Sequence, residues 1–255
     1  MDTHNKSYPE DPCQNIQTKQ FQIKNITGLD KVDKLAVSYR FWFDVLLINL
    51  LVLLVVPPFF EPGGRAVFIA LNLSGILLSG LYLVVNSRRE LLLGGVLVVV
   101  TLVVSWWDYL LPANVHIFVV DGLSIGLFGY AIFFISRYLF ETDHVSLDML
   151  YAALCLYLLI GVLWVFIYHF IETGQPGSFT LQKEGGSLEA MSRNLLGQFS
   201  YYSYVTLSTL GYGDITPITR VARSWSALEA IVGQLYLAVV LARVVALYTL
   251  SKNKS

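Results

Sequence analysis

Charge is what this sequence has least of. Only 14% of its 255 residues are Asp, Glu, Lys or Arg, against 55% hydrophobic, and the mean hydropathy is +0.61. So little charge over that length excludes an ordinary water-soluble domain and points to segments that cross a membrane. The formal net charge of -1 leaves no basic excess to attract nucleic acid. Cysteine is scarce too. Cys13 sits in a polar tail and Cys155 in an apolar run, which excludes a disulfide framework and any metal-ligand spacing. No apolar core lies near Met1, so a cleaved signal peptide is not expected.

What is present is a series of long apolar runs. Spans are expected at 41–59, entered through Trp42 and closed by Pro57-Pro58, then at 66–85, 91–111, 115–139, 149–171 and 221–250. The second carries Asn72, Ser74, Gly75, Ser79 and Gly80, a stripe suited to facing protein. The third ends in Trp106-Trp107-Asp108-Tyr109, an interfacial aromatic belt. Basic residues set the orientation. Lys6, Lys19, Lys24, Lys31, Lys34 and Arg40 precede the first span, Arg88 and Arg89 follow the second, and Arg137 follows the fourth. Arg243, Lys252 and Lys254 lie at the end, while the two short outer loops hold Arg65 alone. The positive-inside rule therefore puts both termini in the cytoplasm, with the Asn25-Ile-Thr27 sequon on that side.

Between the last two spans lies Thr206-Leu-Ser-Thr-Leu-Gly-Tyr-Gly-Asp-Ile-Thr-Pro217. A helix expected over 192–205, starting at a Ser192 cap, leads into it and is too short to cross a bilayer, which fits a re-entrant segment. Gly211 and Gly213 permit an irregular backbone whose carbonyls point one way. Irregular backbone at membrane depth is tolerated only against protein or a water-filled cavity, and a ring of inward carbonyls can replace the hydration shell of a cation.

Thr206-x-x-Thr209-x-Gly211-Tyr212-Gly213-Asp214 resembles the selectivity filter of potassium channels, and the two-helix unit around it agrees over roughly the last hundred residues. The chain is identified as a member of the bacterial potassium channel family with six spans and a single pore loop. The resemblance implies an all-α integral membrane protein: six transmembrane helices, a re-entrant pore helix and a selectivity-filter loop. It would divide into a cytoplasmic tail (1–40), a peripheral four-helix domain (41–140) and a pore domain (141–255). Only one filter copy is present, so a closed ring needs several chains, and the resemblance implies a homotetramer. The partners are then other copies and the lipid bilayer of the cell's inner or plasma membrane, with no nucleic acid and no small-molecule substrate. No cofactor is expected beyond permeant K+.

By the same resemblance, the carbonyls of Thr209, Leu210, Gly211 and Tyr212, with the Thr209 hydroxyl, hold K+ at successive sites, and Gly213 completes the filter. Leu210 stands where many relatives have Val, with its side chain turned from the pore. Thr206, Ser208, Asp214, Tyr201 and Tyr202 form the filter's support. Some relatives pair the aspartate with a pore-helix Glu. Here that position is Val205, so Tyr201 or Tyr202 is expected to bond Asp214. The negative end of the pore helix favours a cation at the cavity.

The last span carries Glu229, Gly233, Gln234 and Arg243. Gly233 falls where related inner helices have a gating hinge, and it also suits close helix packing. Glu229 is either a functional intramembrane ionisable group or scaffolding behind the filter. Arg243 is expected to snorkel to the inner interface.

The fourth span departs from a voltage sensor. It has His116 and Asp121 but no base until Arg137, so it cannot couple steeply to the membrane field. The chain stops at Ser255, so no C-terminal regulatory domain is expected. The linker Glu141-Thr-Asp143-His144 to Asp148 reads as a sensor containing a titratable histidine, or as a solvated connection with an Asp or Ser cap. The turret at 172–191 suggests no function. Gly122-Leu-Ser124-Ile-Gly126 matches a nucleophile elbow formally, with His116 and His169 in or near the membrane, so an intramembrane hydrolase is the remote alternative. The same glycines also make a G-x-x-x-G packing face beside Gly129. No catalytic residues are expected on the channel reading. The nearer alternative is a non-selective monovalent cation channel.

Overall fold

The computed structural model describes residues 41–60, helical positions scattered between 68 and 103, and residues 116–141, 147–181 and 188–252. The tail 1–40, most of the expected second and third spans with the aromatic belt 106–109, and linker residues 142–146 lie outside these. Among the described residues the structure is helical, with one isolated antiparallel bridge between Phe179 and Pro217 and no strand.

Helix α1, Phe41–Val55, ends earlier than the expected first span. Pro57 and Pro58 lack the N–H groups a helix needs, and a single 3-10 turn, Pro57–Phe59, takes over. Helix α2, His116–Glu141, passes unbroken through Gly122 to Gly126. Ser124 is buried inside it, so the strand-to-helix turn that an elbow requires is absent there. A Cβ on Gly122, Gly126 or Gly129 would meet nothing within 4 Å, so among the described residues these glycines make no close helix contact.

Helix α3, Leu147–Gly174, is the centre of the packing. It touches α2 on one side and both α4, Leu188–Leu207, and α5, Arg220–Lys252, on the other. Asp148 lies in its first turn. Phe128 of α2 stacks on Phe166 of α3 with centroids 5.4 Å apart. Buried Phe43, Leu46 and Leu50 join α1 to the core, where the Cys155 thiol donates to the Phe43 carbonyl at 3.6 Å.

Helix α4 begins at Leu188, before the expected Ser192 cap. The preceding Leu188-Glu-Ala-Met191 are strong helix formers and extend it. Helix α5 is capped by Thr219, whose hydroxyl accepts from the Ala222 N–H at 3.3 Å. Among the described residues, three helical stretches are long and apolar enough to cross a membrane: Phe118–Glu141, Leu147–Gly174 and Arg220–Leu247. Almost none of the last is buried within the chain, against more than half of α3's apolar stretch.

Candidate functional site

The C-terminal end of α4 carries the stretch 208–214. The helix stops in a Schellman motif: Leu210 N–H donates to the Val205 carbonyl and Thr209 N–H to the Thr206 carbonyl, both at 2.9 Å. That motif needs a left-handed residue after the cap, normally glycine. Here it is Thr209, with φ 59°. A β-branched residue in that region is a genuine outlier, strained by about 1–3 kcal/mol. Gly211 (φ 58°) and Gly213 (φ 80°) follow, with negative φ at Leu210 and Tyr212 between them. The hand of the backbone thus alternates over five residues. The whole stretch 208–214 is exposed in the single chain, Leu210 by 55% and Tyr212 by 66%.

Several of the sequence-predicted residues converge here. Tyr201 stacks on Tyr212, with rings nearly parallel at 4° and centroids 6.4 Å apart. The Tyr201 phenol is raised above its ordinary value, by desolvation first and then by the neighbouring Asp214 carboxylate. Gln234 Nε2 donates to Thr209 Oγ1 at 3.2 Å. Ser208 turns back on the helix, its hydroxyl donating to the Tyr204 carbonyl at 2.7 Å.

Gly233 faces the Leu207 carbonyl so closely that a Cβ would lie 2.2 Å from its oxygen. It is a close-packing glycine in this conformation. It lies thirteen residues beyond Arg220, about 20 Å along α5 at 1.5 Å per residue, so α4 ends against the middle of an apolar helix.

Others are brought elsewhere. Tyr202 donates to Ser226 Oγ at 2.7 Å, not to Asp214. Glu229 is fully buried and does not reach the filter stretch. Ser203 Oγ donates to its Oε1 at 2.6 Å, and the Tyr168 hydroxyl to its Oε2. The carboxylate therefore ties α5 to α3 and α4, and each oxygen has a donor that offsets its burial. Arg243 does not simply snorkel. It donates to the Leu139 and Phe140 carbonyls at 3.1 and 2.7 Å, capping the C-terminal end of α2 with a cation.

Residues that sequence reasoning missed hold the far side of the stretch. Glu172, at the end of α3, accepts from the Gly177 and Phe179 N–H groups at 2.7 and 3.1 Å. The turret residue Phe179 is thereby folded among Tyr168, Phe199 and Tyr202, with centroids 5.1–5.4 Å away. The chain leaving the filter stretch pairs with it: Thr180 N–H donates to the Thr216 carbonyl at 2.9 Å and Ile218 N–H to Ser178 at 2.7 Å. Farther out, His169 Nδ1 and Asp121 Oδ2 lie 2.7 Å apart, joining α3 to α2. Among the described residues no three His, Cys, Asp or Glu side chains converge as a metal site would require.

A family model described as ion channel matches residues 152–249, from inside α3 nearly to the end of α5. Protein LctB of Bacillus caldotenax is 35% identical over 104 residues, which cover 41% of this chain and 75% of LctB. No solved structure matches the chain. The family match points away from an enzyme, and with the apolar helices it indicates a protein embedded in a membrane by several spans. The family model covers the two helices and the alternating-hand stretch between them, and LctB is 35% identical over three quarters of its own length: the chain belongs to the ion channel family.

Proposed function

We propose that this protein is a potassium-selective channel subunit, conducting passively through backbone-carbonyl sites at Thr209, Leu210, Gly211 and Tyr212. The observation that carries this reading is the alternating hand of 209–213 on an exposed face. Alternation of left- and right-handed residues turns successive carbonyls to one side and N–H groups to the other, the arrangement a dehydrated cation needs.

The same exposure supports an assembly of four copies. The stretch begins about 20 Å along an apolar helix, where unpaired backbone cannot face lipid. Val221, Trp225, Leu228, Ile231 and Leu235 recur at helical spacing on α5 and are exposed in the single chain. Four copies closing around the stretch would cover both. On this reading the chain spans the cell's inner membrane six times, counting α1 and the expected spans 66–85 and 91–111, with a re-entrant α4 and both termini inside. K+ is the permeant ion and no cofactor is needed. Without gating arginines in α2, opening depends at most weakly on voltage.

Purified protein in planar bilayers, with potassium opposed to sodium, tests the reading. A reversal potential near the potassium equilibrium value, lost in Tyr212→Ala, is expected. Robust current reversing near zero would make the protein a non-selective cation channel instead.

A further inference from the structure

Thr209 is held in a left-handed conformation that its own side chain disfavours. Such a residue persists only where its surroundings over-determine it. Two of its restraints are local: its N–H to the Thr206 carbonyl and the neighbouring Leu210 N–H to Val205. The bond that reaches it from another element is the one from Gln234 Nε2 to its hydroxyl, at 3.2 Å. The contact of Gly233 with the Leu207 carbonyl sets the register of α5 against the end of α4, and so delivers the next residue, Gln234, to Thr209. At helical spacing along that face come Ala238, Leu241 and Val245, so Gln234 is the polar side chain nearest the filter on it.

A hydroxyl has two lone pairs and one proton. With one lone pair taken by the Gln234 carboxamide, the Thr209 hydroxyl is fixed in rotation and keeps one lone pair for a cation. The carboxamide thus orients the side-chain oxygen at the end of the carbonyl row and restrains the backbone hand from which the row starts.

We propose that Gln234 is a positioning residue for permeation, setting ion preference at the Thr209 end of the filter through its hydrogen bond to the Thr209 hydroxyl. This rests on the channel reading above. It makes Gln234 a determinant of which monovalent cation passes, not merely of how tightly the helices pack.

The test uses the full chain in planar bilayers and reads two quantities: the potassium-to-sodium permeability ratio, and the potassium concentration at half-maximal conductance. Gln234→Leu is expected to change one or both by about three- to tenfold, the factor that one neutral hydrogen bond supports. In a Thr209→Ala background the same substitution is expected to add less than about twofold, because the bond is already gone. In Thr209→Ser, which keeps a hydroxyl, the effect of Gln234→Leu should persist. If Gln234→Leu does not assemble, Gln234→Met, which keeps the side chain's length, supplies the same comparison. Both quantities unchanged in the assembled variant overturn the inference, as do equal changes with and without the Thr209 hydroxyl. Absence of cation current in the wild type overturns the channel reading and this inference with it, whereas wild-type selectivity with no Gln234 effect overturns this inference alone.

Discussion

Substituting alanine for Gly233 separates two roles that one glycine can play in a long helix. If Gly233 were only a hinge, Gly233→Ala would stiffen α5 and stabilise it, since alanine is favoured over glycine in a helix interior by about 1 kcal/mol. The packing requires the opposite. The new Cβ would stand 2.2 Å from the Leu207 carbonyl oxygen and 3.1 Å from the carbonyl carbon, where ordinary contact begins at 3.4 Å. The closest atom is backbone at the end of α4, so no rotamer change relieves the clash and the helices must part by more than an ångström. Overpacking of this kind costs about 1–3 kcal/mol, leaving a net loss of up to about 2 kcal/mol after the helix-propensity gain. Gly126→Ala is the control, because nothing lies within 4 Å of a Cβ there and only the gain applies. The two variants should therefore differ by about 1–3 kcal/mol, or several degrees in a thermal melt of the purified protein followed by tryptophan fluorescence. The Gln234–Thr209 bond, at 3.2 Å already near the limit, should break in Gly233→Ala. If Gly233→Ala melts as high as Gly126→Ala, the close contact is not what this glycine is for.

Four further outcomes rest on the same geometry. Glu229→Leu leaves the buried Tyr168 hydroxyl without its acceptor and should cost about 1–3 kcal/mol in the same melt, while Glu229→Gln, which can still accept, should recover most of it; equal melting of the two would dismiss the carboxylate as a tie. Gly161→Ala drives a Cβ to 2.4 Å from the Tyr204 ring and should destabilise unless Tyr204→Phe, freed from the Leu158 carbonyl, relieves it; no relief in the double variant would argue that the ring cannot move. Arg243→Gln should lower the melting point by the equivalent of about 0.3–2 kcal/mol through loss of the α2 cap, and Arg243→Lys should restore part of it; an unchanged melt in both would remove the cap from the account. Cys155, fully buried against α1, should resist a maleimide in the native protein on a Cys13→Ser background and react on denaturation; rapid native labelling would contradict its packing.

The sequence is most informative where a residue type has few alternative explanations. Gly211 and Gly213 announce backbone that other residues avoid, and both have positive φ. Thr209 gives no such notice, because threonine rarely takes that conformation and nothing in its identity marks the Schellman cap it completes. Apolar runs announce α2, α3 and α5, and Pro57-Pro58 the stop of α1. The start of α4 has no such marker, because Leu188-Glu-Ala-Met191 form helix as readily as the residues after them, and Ser192 sits inside the helix and not at its cap. Glu229 stands out as an ionisable group in an apolar helix. Its partners do not, since Tyr168 and Ser203 lie 61 and 26 positions away on different helices. Glu172 is illegible for a related reason. At the end of an apolar run a glutamate reads as the solvated edge of a helix, and only the turn at Gly177 folds two N–H groups onto it.

Polar side chains are expensive inside an apolar helix bundle, so where the chain keeps them states what it must hold in place. Ser203 ties α4 to Glu229 of α5, Tyr202 ties it to Ser226 of α5, and Tyr204 to the Leu158 carbonyl of α3. Three consecutive residues of one helix thus each bond a different position on its neighbours, while Gly233 and Gly161 let those neighbours approach within backbone and ring contact. Simple apolar packing would have sufficed for stability, since buried ion and hydrogen-bond networks are often replaceable by well-packed hydrophobes. Apolar packing tolerates small slides of one helix on another, whereas a hydrogen bond fails within a few tenths of an ångström. A helix pinned at successive residues cannot slide or rotate without losing several bonds together. The element that must not move is the last turn of α4, from which the alternating-hand stretch begins.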